Sequence, residues 1–273
     1  MRFNGGGGSG TQTILSKTTA ERDALTATDE LLVYDSDQGI LYQGDGTFWN
    51  AYGRPDPARA YHYYTDFDDP AATSGGWQPL QNGTGAGSAI AAAADQNFNG
   101  GILVAPGTDA AGRASFYKVD RSMRLGGSVG YIKMRIKITL LPVTASNDGI
   151  FWFGLGDATT TGDHTDGVSI MYDNVGSGHF WVGRNSKGGA RSSVTSAIAP
   201  TTSWTNLRIQ FTETAATFYA DGVAFGAALS TNFPTASSEA CGPLTKVVKS
   251  LGAGNLSYTI DSFEMLQVFS TRR

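Results

Sequence analysis

The sequence predicts an all-β protein: a two-sheet antiparallel jelly-roll sandwich preceded by a small N-terminal β-hairpin module. Three observations carry this. Segments such as 131–140 (YIKMRIKITL) alternate apolar and polar residues with the period of a half-buried strand. Glycine supplies 36 of 273 residues, about twice its usual share of roughly 7%, which suits short strands joined by tight turns and disfavours long helices. A separate pair of apolar runs with turn residues between them, 29–49 (DELLVYDSDQGILYQGDGTFW), stands apart from the main β region.

In chain order, residues 1–15 form a Gly-rich arm. Four consecutive glycines do not order themselves in water, so it reads as a disordered tail or linker, or as an arm that orders against a partner. Residues 16–53 form the attachment module. Within it SKTTAERDALTATDE (16–30) offers Thr18 or Thr19 as the N-cap of one or two helical turns. The hairpin that follows is too small to bury Leu31, Val33, Ile40, Tyr42, Phe48 and Trp49 by itself. These six are therefore expected to meet other copies of the chain around an axis, or a docking surface. Pro55 and Pro57 around Asp56 mark a linker over 54–61.

The region 62–273 reads as strands separated by Gly-rich loops. Ile132, Met134, Ile136 and Ile138 face one way, and Lys133, Arg135 and Lys137 the other. LRIQF (207–211) turns Leu207, Ile209 and Phe211 inward, and Asp221-Gly222 makes a hairpin of ATFYADGVAF (216–225). IFWFGLGD (150–157) is continuously apolar, as in a strand covered on both faces, and LSYTIDSFEMLQVF (256–269) is a long final strand. No fixed-period repeat points to a propeller or solenoid.

Composition narrows the function. A net charge of −4 argues against a nucleic-acid binder, which needs a clustered basic surface. The single cysteine, Cys241, excludes a disulfide within one chain and a cysteine-ligated zinc site. No apolar leader follows Met1 and no run reaches the length of a membrane span, so a soluble protein made in the cytosol, with no membrane partner, is expected.

The order YTDFDDP, a Trp, GTGAG, GGILVAPGTDAAGRASFYKV, YIKMRIKITLLP, GIFWFGLGD, TSWTNLRIQFTETAATFYADGVAFG, YTIDSFEMLQVF resembles the concanavalin A-like lectin/glucanase jelly roll, including laminin-G-like modules. The pattern W-x-x-L-x-I … F-Y-x-D-G from Trp204 to Gly222 is its most telling part. Glycosidases on this fold are expected to carry a Glu-x-Asp-x-Glu run, where period two aligns two carboxylates. The glutamates here are Glu21, Glu30, Glu213, Glu239 and Glu264, and none has another within five residues. No G-x-S-x-G, H-E-x-x-H or Walker lysine motif occurs, and in GTGAG Ser88 stands where a third Gly would be. The expectation is that the chain is not an enzyme, with no catalytic, cofactor-binding or metal-binding residue.

Weaker candidates remain. GDHTDG (162–167) groups Asp163, His164 and Asp166 as a polar loop or a cation site; DSDQG (35–39) starts like a calcium loop but has Gly46 where the bidentate Glu belongs, and reads as a hairpin turn. Asp66, Asp68 and Asp69 read as strand-end residues. The stripe of Lys133, Arg135 and Lys137 reads as a solvated face or as a contact for an acidic partner or sugar polymer. For host-surface glycans the fold implies aromatic platforms beside Asn and Asp: Trp181, Asn185 and Tyr172 are the candidates, with Trp152, Asp173 and Asn174 near them. The same aromatics could equally fill the core.

The segment TTAERDAL … LLVYDSDQGILYQGDGTFW resembles a small module near the N-termini of bacteriophage tail-fibre and head-fibre proteins. That resemblance implies a homotrimer and a place on the virion surface, assembled in the bacterial cytoplasm, with the major capsid protein or another virion protein as partner. The expected function is a capsid decoration protein or short head fibre, with a tail-fibre protein that binds host glycans as the alternative.

Overall fold

The computed structural model describes residues 14–28, 31–52, 60–65, 67, 76–82, 87–89, 101–119, 122–142, 148–159, 162–173 and 178–270. Most of the Gly-rich arm, the two linker prolines, Asp66, Asp68, Asp69, Asn174 and most of GTGAG lie outside them. The chain divides into two compact units, Met1–Tyr61 with Arg272–Arg273, and His62–Thr271. Among the described residues no helix is long and apolar enough to cross a membrane.

The small unit is more than a hairpin. Its sheet runs β1 (Ile14–Lys17), β2 (Leu32–Asp35), β3 (Ile40–Gly44), β4 (Trp49–Ala51), in that order. β2 and β3 form the expected antiparallel pair, with Asp35 opposite Ile40. Two features enlarge it. Asp45 accepts from the Thr47 and Phe48 amides at 3.0 and 2.7 Å, a turn that folds β4 back onto β3. Helix α1 (Thr19–Asp23) carries the chain over so that β1 lies parallel to β2.

Helix α1 starts at Thr18, whose hydroxyl accepts from Glu21 N while Glu21 accepts from Thr18 N at 2.9 Å, a reciprocal capping box. Thr19 is not the cap because its hydroxyl is committed to Asp35, at 2.9 and 3.1 Å. Asp35 is fully buried and also accepts from the Asp37 and Gln38 amides, so DSDQG is a hairpin turn. Its other oxygen takes Arg22 Nη1 at 2.8 Å, and the Arg22 guanidinium lies 4.3 Å from the centre of the Tyr42 ring. Burial pushes the Tyr42 hydroxyl up to about 12.

This arrangement changes the premise for the six attachment candidates. Val33, Ile40 and Tyr42 are buried in the chain's own fold, and Leu31, Phe48 and Trp49 are half-buried. A four-stranded sheet with a helix has room for side chains that a bare hairpin would leave wet. Among the described residues of this unit, the large hydrophobic side chains that stay exposed are Ile14, Tyr34 and Tyr52.

The large unit is a two-sheet sandwich. The remaining strands are β5 (Ala60–Thr65), β6 (Trp77–Asn82), β7 (Gly87–Ala89), β8 (Ile102–Ala105), β9 (Arg113–Lys118), β10 (Ser128–Ile138), β11 (Asp148–Gly156), β12 (Gly167–Asp173), β13 (Trp181–Lys187), β14 (Ala190–Thr195), β15 (Trp204–Phe211), β16 (Ala216–Ala220), β17 (Val223–Ala224), β18 (Gly242–Leu251) and β19 (Tyr258–Phe269). One sheet has the order β17-β16-β15-β10-β19-β8-β7, with β5 also against β19; the other runs β14-β13-β12-β11-β18-β9-β6. The Asp221-Gly222 turn is left-handed at both residues, with φ of 46° and 81°, as a two-residue hairpin loop of this type requires.

The inner faces meet in one core. Ile132, Met134, Ile136, Ile138, Leu207, Ile209 and Phe211 supply one side, and Phe116, Phe151, Phe153, Leu155, Tyr172 and Trp181 the other. Each such side chain contributes about 1.5–3 kcal/mol by leaving water. Two of the large polar aromatics inside are matched: the Tyr258 hydroxyl donates to Thr245 Oγ1 at 2.7 Å, and Trp77 Nε1 donates to the Tyr63 hydroxyl at 2.7 Å.

Removing one member of a buried ion pair costs about 3–5 kcal/mol, comparable to the whole stability of a unit this small. Asp35→Ala is therefore expected to unfold the small unit and leave the sandwich intact. Limited proteolysis should show new cleavage before residue 61 with the remainder protected; an unchanged digestion pattern would contradict this.

Candidate functional site

Strand β11 alternates between two buried environments. Phe151, Phe153 and Leu155 enter the core, whereas Trp152 lies on the opposite, outer face of its sheet in a second apolar cluster with Met171 and Val182. Register builds that face row by row. Trp152 stands opposite Lys246 of β18 and Met171 of β12, and Met171 opposite Val182 of β13. In the next row Ser169 faces Arg184, which faces Ser193 of β14; one row on, Ser186 faces Arg191.

The loop 157–166, apart from 160–161 which lie outside the described residues, folds back onto these rows. Lys246 Nζ donates to the carbonyls of Ala158 and Gly162 at 3.0 and 2.6 Å and lies 4.6 Å from the centre of the Trp152 ring. Asp163 accepts from Trp152 Nε1 at 3.2 Å and pairs with Arg184 at 2.8 Å and Arg191 at 3.2 Å. The His164 ring lies directly on Gly156, where any Cβ would come within 2.2 Å of it. Asp157 accepts from Thr165 N at 2.9 Å, and Asp166 from Gly188 N at 2.8 Å.

Electrostatics follow from this packing. Burial, and then the charges of Lys246, Arg184 and Arg191, hold His164 well below its ordinary range, so the ring is neutral. Its Nδ1 accepts from Ala158 N at 3.4 Å, which leaves the proton on Nε2. Burial lowers Lys246 to about 8, against the pull of Asp163 and Asp157.

The outer face of the eight-stranded sheet carries a second polar row. Glu264 takes His62 Nε2 at 3.2 Å and the Tyr131 hydroxyl at 2.7 Å. Burial alone would raise this carboxyl; the His62 and Tyr131 hydrogen bonds and the Lys133 charge together hold it below its ordinary value. A register shift in β19 accompanies Asp261, which pairs with Arg135 at 3.2 Å. Arg208 lies over Tyr131, and Arg135 and Lys137 lie over Trp204, so the basic stripe is threaded with aromatics and acids.

Several sequence candidates fall elsewhere. Trp181, Tyr172 and Asn185 do not form a sugar platform: each is at most 1% exposed. Trp181 and Tyr172 meet edge-to-face at 6.0 Å in the core, and the Asn185 amide donates inward to Leu229 O at 2.7 Å. A ring enclosed between two sheets has no face to offer a saccharide. Asp163 and His164 do belong to the site, but Asp163 meets arginines and His164 a glycine. Among the described residues no group of three or more His, Cys, Asp or Glu is disposed to hold a metal ion. Sequence reasoning missed Lys246, Arg184 and Arg191, because a basic residue in a strand ordinarily points to water.

No family model matches the chain, and no curated protein matches it. Solved structures do. A protein of unknown function from Shewanella oneidensis MR-1 matches with a TM-score of 0.59 at 15% identity, over 81% of this chain and 92% of that one. Peanut lectin matches with a TM-score of 0.53 at 10% identity, over 77% and 98%. The large unit has the concanavalin A-like, lectin-like jelly-roll fold. An endo-1,3-β-glucanase from Streptomyces sioyaensis matches with a TM-score of 0.51 at 12% identity, over 80% and 100%. This last finding overturns the expectation that the chain is not an enzyme. The fold hosts hydrolases as well as lectins, and a missing Glu-x-Asp-x-Glu run does not exclude carboxylates assembled from separate strands and loops.

The lowered Lys246 sets a pH dependence. Between about 8 and its ordinary 10.5 the unfolded chain holds a proton on this lysine that the folded chain has released, so the lysine's contribution to stability rises with pH across that window. The contribution is on the order of 3 kcal/mol. Denaturant titrations at pH 8 and pH 10 should show the parent gaining stability relative to Lys246→Met across this window, against a background in which the buried Cys241 thiol and tyrosine hydroxyls act in the opposite sense in both chains; the same change with pH in both chains would refute the assignment.

Proposed function

We propose that this chain is a bacteriophage virion surface protein, fixed to the particle by its N-terminal unit, whose jelly roll engages carbohydrate of the host surface. The observation that carries the carbohydrate reading is the outer face of the seven-stranded sheet. It sets the part-exposed polar side chains Asp163, Arg184 and Arg191 together on one face, held over the buried ring of Trp152. A small number of precisely placed polar groups is what orients a ligand in a protein site. The lectin-like and glucanase-like fold supports the same reading, and whether sugar is only bound or also cleaved is a matter of assay.

Attachment is supported by the small unit. It is compact in its own right, resembles phage-fibre modules, and keeps Ile14, Tyr34 and Tyr52 exposed to water. Buried between three copies, these side chains would stabilise a homotrimer.

Light scattering on the full chain tests the attachment reading: a mass three times the 28.7 kDa chain is expected, and a strict monomer would count against it. The carbohydrate reading predicts retention on immobilised host-surface polysaccharide, or release of reducing ends from it. The absence of both retention and release would end that reading.

A further inference from the structure

The Asp163 carboxylate occupies a site that the sheet itself constructs. Its donors come from three strands: Trp152 Nε1 from β11, Arg184 Nη1 from β13 and Arg191 Nε from β14. Arg184 is further fixed by a 3.1 Å hydrogen bond from its Nε to Ser193 Oγ. The carboxylate alone comes from a loop. It is also reachable, since the Asp163 side chain is 23% exposed and that of Arg191 43%. Two guanidinium groups and an indole N–H converging on one carboxylate form a charge-assisted anion seat with directional specificity.

We propose that Asp163 is an internal stand-in, and that this seat receives the carboxylate of an acidic sugar, of the uronic acid type, when Asp163 withdraws. The inference rests on the carbohydrate reading above and names its ligand class. An amino acid tethered beside its own seat competes at a high effective concentration, so the intact chain binds an acidic saccharide only through the fraction of molecules in which the seat is vacant. Withdrawal of the Asp163 side chain also frees the indole N–H of Trp152, whose ring stays covered by Lys246 and by its cluster with Met171 and Val182. The replacement carboxylate would accept from that N–H as Asp163 does, with the rest of the sugar directed towards water.

The test uses the full chain and three probes, polygalacturonate, neutral dextran and inorganic polyphosphate, with binding measured by calorimetry at fixed ionic strength. Asp163→Ala is expected to bind polygalacturonate at least tenfold more tightly than the parent, with dextran unchanged. Asp163→Asn, which keeps the side-chain shape and removes the charge, should gain in the same direction, and covers the case in which the alanine variant does not fold. Adding Arg184→Gln to either variant should abolish the gain. No gain in either Asp163 variant, an equal gain for dextran, or a gain that survives Arg184→Gln would overturn the proposal. An equal gain for inorganic polyphosphate would also overturn it, by reducing the seat to a general anion patch. Retention of the parent on host polysaccharide without any gain in the variants removes this inference and leaves the carbohydrate reading standing. Binding of no saccharide by any of the chains removes both.

Discussion

Strand β11 carries bulky apolar side chains on both of its faces, and neither set can be left in water. Phe151, Phe153 and Leu155 are met by the opposite sheet, as in any sandwich. Trp152 has no second sheet to meet it. Its cover comes from Met171, Val182 and the aliphatic stem of Lys246, with the 157–166 loop reaching across. Because the loop must close over an indole, its polar groups are drawn onto the sheet, and they find the donors of β13, β14 and β18 there. The candidate site is thus a by-product of burying one strand twice.

That closure is held by charges in poor solvent, and the balance is close. A buried ammonium is costly unless its hydrogen bonds are supplied. Lys246 has two carbonyls and an aromatic face, which offsets much of the cost but leaves its proton more weakly held than in water. His164 resolves the same problem by staying neutral. The small unit shows the other solution: the buried Asp35 is surrounded by Arg22, Thr19 and two backbone amides, so its carboxylate is fully provided for. One buried ion stabilises a fold; the other leaves a loop whose hold on the sheet depends on conditions.

The sandwich was largely legible because amphipathic strands announce their faces. Ile132 to Ile138 and Leu207 to Phe211 point inward as their alternation requires, and Asp221-Gly222 turns the chain as that pair does elsewhere. Continuous apolar strands have no such phase. Nothing in FWF says that Trp152 faces out while its neighbours face in, and nothing in the chain distinguishes its fate from that of Trp181, which is core. Register across three strands decides both. In the small unit the four-residue β1 and three-residue β4 are too short to carry a period, so a hairpin is visible in the sequence and a four-stranded sheet is not. Pairs such as Arg184 with Asp163, or Lys246 with Gly162, join residues whose nearness depends on the completed sheet.

The order in which strands are used has its own consequence. β19 follows every other strand in the chain, yet it lies inside its sheet, between β10 and β8, with β5 also against it. The first strand of the sandwich thus pairs with the last, and Ile132 has its cross-strand neighbour Met265 only after nearly all of the unit has been synthesised. During translation the inner face of β10 must wait, apolar and half-paired, for a partner still inside the ribosome. The small unit, whose ion pair spans thirteen residues, has no such delay. The nascent chain therefore completes its N-terminal unit early, while the sandwich remains open, and a late break in the message would remove an inner strand rather than trim an edge.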